Sequence, residues 1–258
     1  GDIAKCSLGK PNEYYNEALL YRLFGINAEL LIDHAWGWEP TTIAEIKAYK
    51  PQTNSVGSGQ VLHCPYTAEK AKLIVKEMTD LLVLDLADKC LVTDQIVLTI
   101  GYDIENLSTS EGRRNYHGEI TTDHYGRQVP KHAHGTANLP CQTSSTKMIL
   151  EAVSDLYDRV VNFDLLVRRV NIVACKVVPE SKMKQPGNFE QMNLFTDYQA
   201  LEKERAERQK ELEKEKRIQH AILDLQKKYG KNAVLKGMNL EEGAMTIARN
   251  SQIGGHKA

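Results

Sequence analysis

The sequence predicts an α+β fold: a four-stranded sheet in the order βαββαβ with two helices on one face. Two observations carry this expectation. Two segments repeat their apolar residues at helical spacing, and four others alternate apolar and polar residues with the period of a strand. In the first helical segment, Leu73, Ile74, Met78, Leu81 and Leu82 share a face behind Thr67, a hydroxyl residue suited to receive a first-turn amide. The second begins near Ser144 or Ser145, and Met148, Ile149, Ala152, Val153, Leu156 and Val160 follow the i, i+3, i+4, i+7 pattern. Residues 95–102 set Gln95, Val97 and Thr99 against Ile96, Leu98, Ile100 and Tyr102. Residues 169–174 set Arg169, Asn171 and Val173 against Val170, Ile172 and Ala174. Ser55–Cys64 and His132–Leu139 supply the other two strands.

Helices on one side leave the other side of the sheet open. Side-chain alternation places Gln95, Thr99, His134, Thr136, Asn138, Arg169 and Asn171 there. A polar and basic sheet face suits a large polar partner, although the solvated outer face of an antiparallel sheet has the same pattern.

Three regions are expected along the chain. Residues 1–50 are helical, 53–179 form the α+β domain, and 180–258 are a polar tail. Prolines and small polar residues mark both joints, at Lys50-Pro51-Gln52-Thr53 and at Pro179-Glu180-Ser181 through Pro186-Gly187. The formal net charge is −1, and residues 53–179 hold 13 Lys and Arg against 15 Asp and Glu, so a nucleic-acid surface there must be local. Five cysteines, widely spaced and without a C-x-x-C pair, fit reduced thiols better than a disulfide framework or a zinc site. The chain has no apolar run of the roughly 18 residues a membrane span needs, and Gly1-Asp2 does not begin a basic, then apolar leader. It therefore reads as cytoplasmic, with no membrane partner.

Asn106–Pro130 is long for a hairpin loop and carries Arg113, Arg114, Tyr116, His117, His124, Tyr125 and Arg127. It is expected either to be an extended hairpin reaching along a nucleic acid or to be a plain solvated one. His117, His124, His132 and His134 match no compact zinc spacing, so no metal is expected. Leu201–Arg217 is dense in Glu, Lys and Arg, with Glu204/Arg208 and Glu213/Arg217 at i, i+4, and predicts a solvent-exposed helix. Ile218, Ala221, Ile222 and Leu225 form a short apolar stripe before Gly230, open to a partner or to a second copy.

Several segments also resemble a known family. Gly1-Asp2-Ile3-Ala4, Leu23-Phe24-Gly25 and His34-Ala35-Trp36-Gly37 resemble the end of the thumb domain of Y-family DNA polymerases, and Ser55-Val56-Gly57-Ser58-Gly59-Gln60-Val61-Leu62 the start of their little finger domain. Gly135–Leu139, Leu166–Ile172 and the terminal Arg249–Ala258 resemble the UmuC-like (ImpB/MucB/SamB) branch of translesion polymerases. Gln191-Met192-Asn193-Leu194-Phe195 resembles the Q-L-x-L-F peptide by which bacterial polymerases bind the β sliding clamp.

The resemblance implies a bacterial, nucleoid-associated DNA-repair role of SOS type. It would be played by a region that grips template-primer duplex through phosphates and binds the clamp through Gln191, Met192, Leu194 and Phe195. It implies that Gly57, Ser58, Gly59 and Gln60 offer amides and a hydroxyl to phosphate and that Arg168 and Arg169 supply charge. Catalytic acids and their Mg²⁺ belong to a palm that precedes the thumb. No D-x-D or S-x-D-E occurs here, so no nucleotidyl transfer and no cofactor are expected of these residues. Two readings compete with this one. The first is an RNA-binding ferredoxin-like module, which needs aromatic residues on the open face. The second is an interaction adaptor built on the C-terminal helix.

Overall fold

A computed structural model describes residues 1–49, 54–123, 125–183, 198–253 and 256–257, and the chain divides into two units, Gly1–Gln52 and Thr53–Ala258. In the first unit, α1 (Asp2–Ser7), α2 (Glu17–Phe24) and α3 (Asn27–Ala35) enclose a small core of Cys6, Leu19, Leu20 and Ala28. Gly25, at φ +58°, makes the turn between α2 and α3, a backbone conformation that favours glycine. A short α4 (Ile43–Ala48) follows, started by a capping box between Thr42 and Glu45.

The second unit is α+β. Its strands β1 (Ser55–Tyr66), β2 (Leu91–Tyr102), β5 (Ala133–Thr143) and β6 (Val167–Cys175) pair antiparallel in the order β1-β6-β2-β5, and β7 (Val178–Pro179) adds to the start of β2. Helix α5 (Ala68–Asp88) connects β1 to β2, and α8 (Thr146–Val160) connects β5 to β6. Both helices lie on one face, as the periodicities require. Ile96, Leu98 and Ile100 of β2 and Val170, Ile172 and Ala174 of β6 are fully buried beneath Ile74, Val75, Met78 and Leu82 of α5 and Ile149, Val153 and Leu156 of α8. Gly135 lets α8 approach the sheet, since a Cβ there would lie 2.8 Å from Leu156 Cδ1 and Val160 Cγ1. The fully buried Tyr157 hydroxyl donates to the Ala68 carbonyl at 2.7 Å, and burial pushes this phenol well above its ordinary range. Thr67 and Ser145 cap the two helices as expected.

Between β2 and β5 the chain departs from an extended hairpin. It forms two helical turns, α6 (Glu105–Ser108) and α7 (Ser110–Asn115), and a three-residue ladder between β3 (Ile120–Thr122) and β4 (Gln128–Pro130). Arg113 Nη2 donates to Gln128 Oε1 and Arg127 pairs with Asp123, so these two cations tie the loop to itself.

The tail departs from expectation more strongly. Helix α9 (Tyr198–Tyr229) turns Leu212, Glu215, Gln219, Ile222, Leu223 and Gln226 inward. Leu223, with Ile222 beside it, packs on Leu84 and Ala87 of α5. Glu215 accepts from the Ser145 hydroxyl at 2.6 Å and the Lys147 amide at 3.0 Å, placing a carboxyl at the positive end of α8. Gln219 donates to the Ser144 carbonyl and to Thr146 Oγ1. The stripe predicted for a partner is therefore split: Ile222 is used internally, while Ile218 and Leu225 remain 51% and 43% exposed.

After Gly230 the chain returns to α5 and ends in α10 (Thr246–Asn250) and a ladder of β8 (Gln252–Ile253) with β9 (His256–Lys257). Glu77, 2% exposed, fastens it by accepting from Asn239 Nδ2 at 2.8 Å, the Met245 amide at 2.8 Å and the Thr246 amide at 3.3 Å, while Lys236 pairs with Asp80. The expected boundary at residue 180 thus separates no compact unit. Among the described residues, no helix is long and apolar enough to cross a membrane.

Replacing Leu223 by Ala removes the side chain that seats α9 on α5. It should cost about 2 kcal/mol and lower the melting temperature by about 5 °C. An unchanged thermal transition would contradict the docking of this helix.

Candidate functional site

The open face of the sheet takes its composition from the strand register. Residues directly opposite one another in antiparallel strands share a face. Four rows therefore run across it: Ser55, Cys175, Gln95 and Asn138; Gly57, Val173, Val97 and Thr136; Gly59, Asn171, Thr99 and His134; and Val61, Arg169 and Gly101. None of these residues is acidic. The Gln95 side-chain amide donates to Asn138 Oδ1 at 2.8 Å, and Thr99 Oγ1 lies 2.9 Å from His134 Nδ1, so the polar side chains are braced in pairs.

The third and fourth rows concentrate the chemistry. Glycines at 59 and 101 leave the surface bare on either side of Asn171 and Arg169. The Arg169 side chain lies over Gly101, where an added Cβ would stand 3.1 Å from Arg169 Cβ. Val167 pairs with Tyr102 and Arg169 with Gly101, so Arg168 is an extra residue in the ladder, a β-bulge. The bulge brings both arginines opposite Gly101. Their surroundings differ, because Arg168 Nε lies 3.7 Å from the buried carboxyl of Asp103, whereas Arg169 faces no carboxyl partner among the described residues. Half of the expected charge pair is thus partly neutralised.

All seven residues predicted for the open face from alternation lie on it: Gln95, Thr99, His134, Thr136, Asn138, Arg169 and Asn171. The glycine-rich strand divides instead. Gly57 and Gly59 are on the open face, while Ser58 and Gln60 stand opposite Ile172 and Val170 on the helix side. There Arg249 of α10 donates to Ser58 Oγ and, at 3.2 Å, to Gln60 Oε1. The Ser58 oxygen thus accepts from the C-terminal segment, and its hydroxyl lies on the helix side, away from the open face that holds Gly57 and Gly59. The open rows contain no Phe, Tyr or Trp, so they lack the stacking platform the RNA-recognition reading requires. Gln191, Met192, Leu194 and Phe195 lie outside the described residues, as does His124.

Sequence reasoning missed Gly101 and Arg249. The alternation that placed Thr99 also places Gly101, so that signal was present. Arg249 stood in a terminal motif that carried no physical reading.

Neither a protein-family model nor a curated protein matches the chain. Among solved structures, one described as a complex of beta-clamp processivity factor and little finger domain of PolIV is similar to it. The TM-score is 0.30 and the identity 11%, over 55% of this chain and 99% of that one. A likeness at that score decides nothing about this chain.

Proposed function

We propose that this chain is a DNA-holding and clamp-binding region of a UmuC-like translesion DNA polymerase. In this role it grips duplex without reading its sequence. The observation that carries the proposal is the open sheet face: four register rows free of acidic residues, with Arg169 stretched over Gly101 beside Asn171 and Gly59. Phosphate affinity depends on cations and donors at the contact, so a chain of net charge −1 can bind DNA if its contact face excludes carboxylates. The glycines allow a backbone phosphate close to the strands, and the side-chain amides and hydroxyls of Asn171, Thr99 and Asn138 supply neutral donors. Contacts of this kind position a duplex and carry no base information. In this reading the 258 residues hold DNA and do not transfer nucleotides. The sequence resemblance supplies the polymerase context.

Duplex binding should be weak and indifferent to sequence, with a salt slope of roughly two to four phosphate contacts. Arg169→Ala should weaken binding to every sequence alike and reduce that slope by about one. Gly59→Ala separates approach from folding. Its added Cβ would meet Asn171 Oδ1 at 3.4 Å, an ordinary contact, so the melting temperature should hold while affinity falls. Unchanged duplex affinity in both variants would remove the open face from the proposal.

The clamp reading rests on Gln191–Phe195 as a sequence. Truncating Leu194 and Phe195 together to Ala removes two anchors, each worth about 1.5–3 kcal/mol when buried. Clamp affinity should fall by roughly a factor of a hundred or more. Titration against clamp, with melting temperature as the companion measurement, decides it: a lowered melting temperature with no clamp binding in either protein would show that these residues serve the fold.

A further inference from the structure

A groove of about 720 Å³ runs beside the outer edge of β1, bounded by α5, α9 and α10. It wraps from the sheet edge toward the helix side, and Gly59, His63, Lys231, Arg249, Asn250 and Gln252 line its polar parts. Two carboxyls also line it, Asp85 and Asp88, and each is matched by a lysine of its own, Lys89 at 2.7 Å and Lys227 at 2.5 Å. The two remaining cations of the wall, Arg249 and Lys231, have no such match. Among the described residues Arg249 meets only the neutral acceptors Ser58 Oγ and Gln60 Oε1, and the Lys231 side chain has neither a hydrogen bond nor an ion pair.

A half-buried guanidinium without an anion is costly, because desolvation is not offset by a counter-charge. Burial lowers the Arg249 pKa, opposed by the field of Glu77. Glu77 is not a free counter-ion for it, since its oxygens accept from Asn239, Met245 and Thr246. Arginine has five N–H donors in a planar fork suited to phosphate, and Ser58 and Gln60 take only part of that set.

We propose that this groove is a second phosphate site, in which Arg249 and Lys231 hold one phosphate group and Ser58 and Gln60 orient the guanidinium from behind. The ligand class is a phosphoryl group, carried either by a nucleic-acid backbone passing the edge of β1 or by a free phosphate compound. The terminal segment then has a function of its own: Glu77 fixes α10, and α10 presents Arg249. The groove shares Gly59 and Val61 with the edge of the open face, but the two cations that define it, Arg249 and Lys231, lie outside the rows of that face.

The test uses the full chain, labelled with ¹⁵N, and follows the Arg249 Nε–Hε signal, assigned by its loss in Arg249→Lys. Two probes are titrated separately, inorganic phosphate and a blunt 12-base-pair duplex. The expected result is a saturable shift of that signal with at least one probe, and an affinity about tenfold weaker in Lys231→Gln, the loss of one charged hydrogen bond. Lys231→Gln also protects the test against misfolding, because Lys231 supports no described contact. A response to duplex alone assigns the phosphate to nucleic acid, and a response to inorganic phosphate assigns it to a small anion. Arg169→Ala should leave the phosphate response intact, so loss of the open-face reading and loss of this one are separable. No shift with either probe, or equal affinity in parent and Lys231→Gln, would overturn the site.

Discussion

The position of β6 between β1 and β2, in one register with each, is the constraint on which the rest of the second unit depends. Because side chains alternate along a strand, that register sends Val170, Ile172 and Ala174 under the helices and Arg169, Asn171 and Val173 to the opposite face. A shift of one residue would bury Arg169 and Asn171 and expose the centre of the core, so core formation and construction of the open face are the same event. The bulge at Arg168 follows from this arrangement. Val167 and Val170 are both fully buried with two residues between them, and an extra residue in the ladder lets both reach the core.

A second layer of organisation comes from polar groups buried under α9 and the C-terminal turns. Glu77, Glu215 and Gln219 each accept or donate into backbone ends that would otherwise lack partners: the first amides of α8 and α10 and the Ser144 carbonyl. Apolar contacts accompany these bonds, Leu223 with Leu84 and Ala87, and Met245 against the main core. Among the described residues, this arrangement leaves the Arg249 guanidinium beside β1 bonded to neutral acceptors only.

The sheet and its two helices were legible in the sequence because their apolar residues recur with clean periods, and because Thr67 and Ser145 mark the helix starts chemically. The seven open-face residues were legible for the same reason, since alternation fixes a face without further information. The docked tail was not. Residues 202–217 are mostly exposed, as their charge pattern implies; what periodicity passed over is the docking of the second half of the helix, where the polar Gln219 and Gln226 turn inward beside Ile222 and Leu223. The fate of Ser58 was hidden because its partner, Arg249, lies 191 residues away in sequence. The loop after β2 read as a longer hairpin because Arg113 and Arg127 look free until Gln128 and Asp123 are placed beside them.

The face created by the β6 register, with its four rows free of acidic residues, is the surface proposed to meet DNA. Backbone amide shifts of the full chain, recorded while a blunt duplex is titrated in at low salt, distinguish this face from the others. The expected changes centre on Gly57, Gly59, Thr99, Gly101, His134, Arg169 and Asn171, with the core-facing positions of α5 and α8 undisturbed. Changes confined to the first unit or to the outer face of α9, with these seven signals unmoved at saturation, would contradict it.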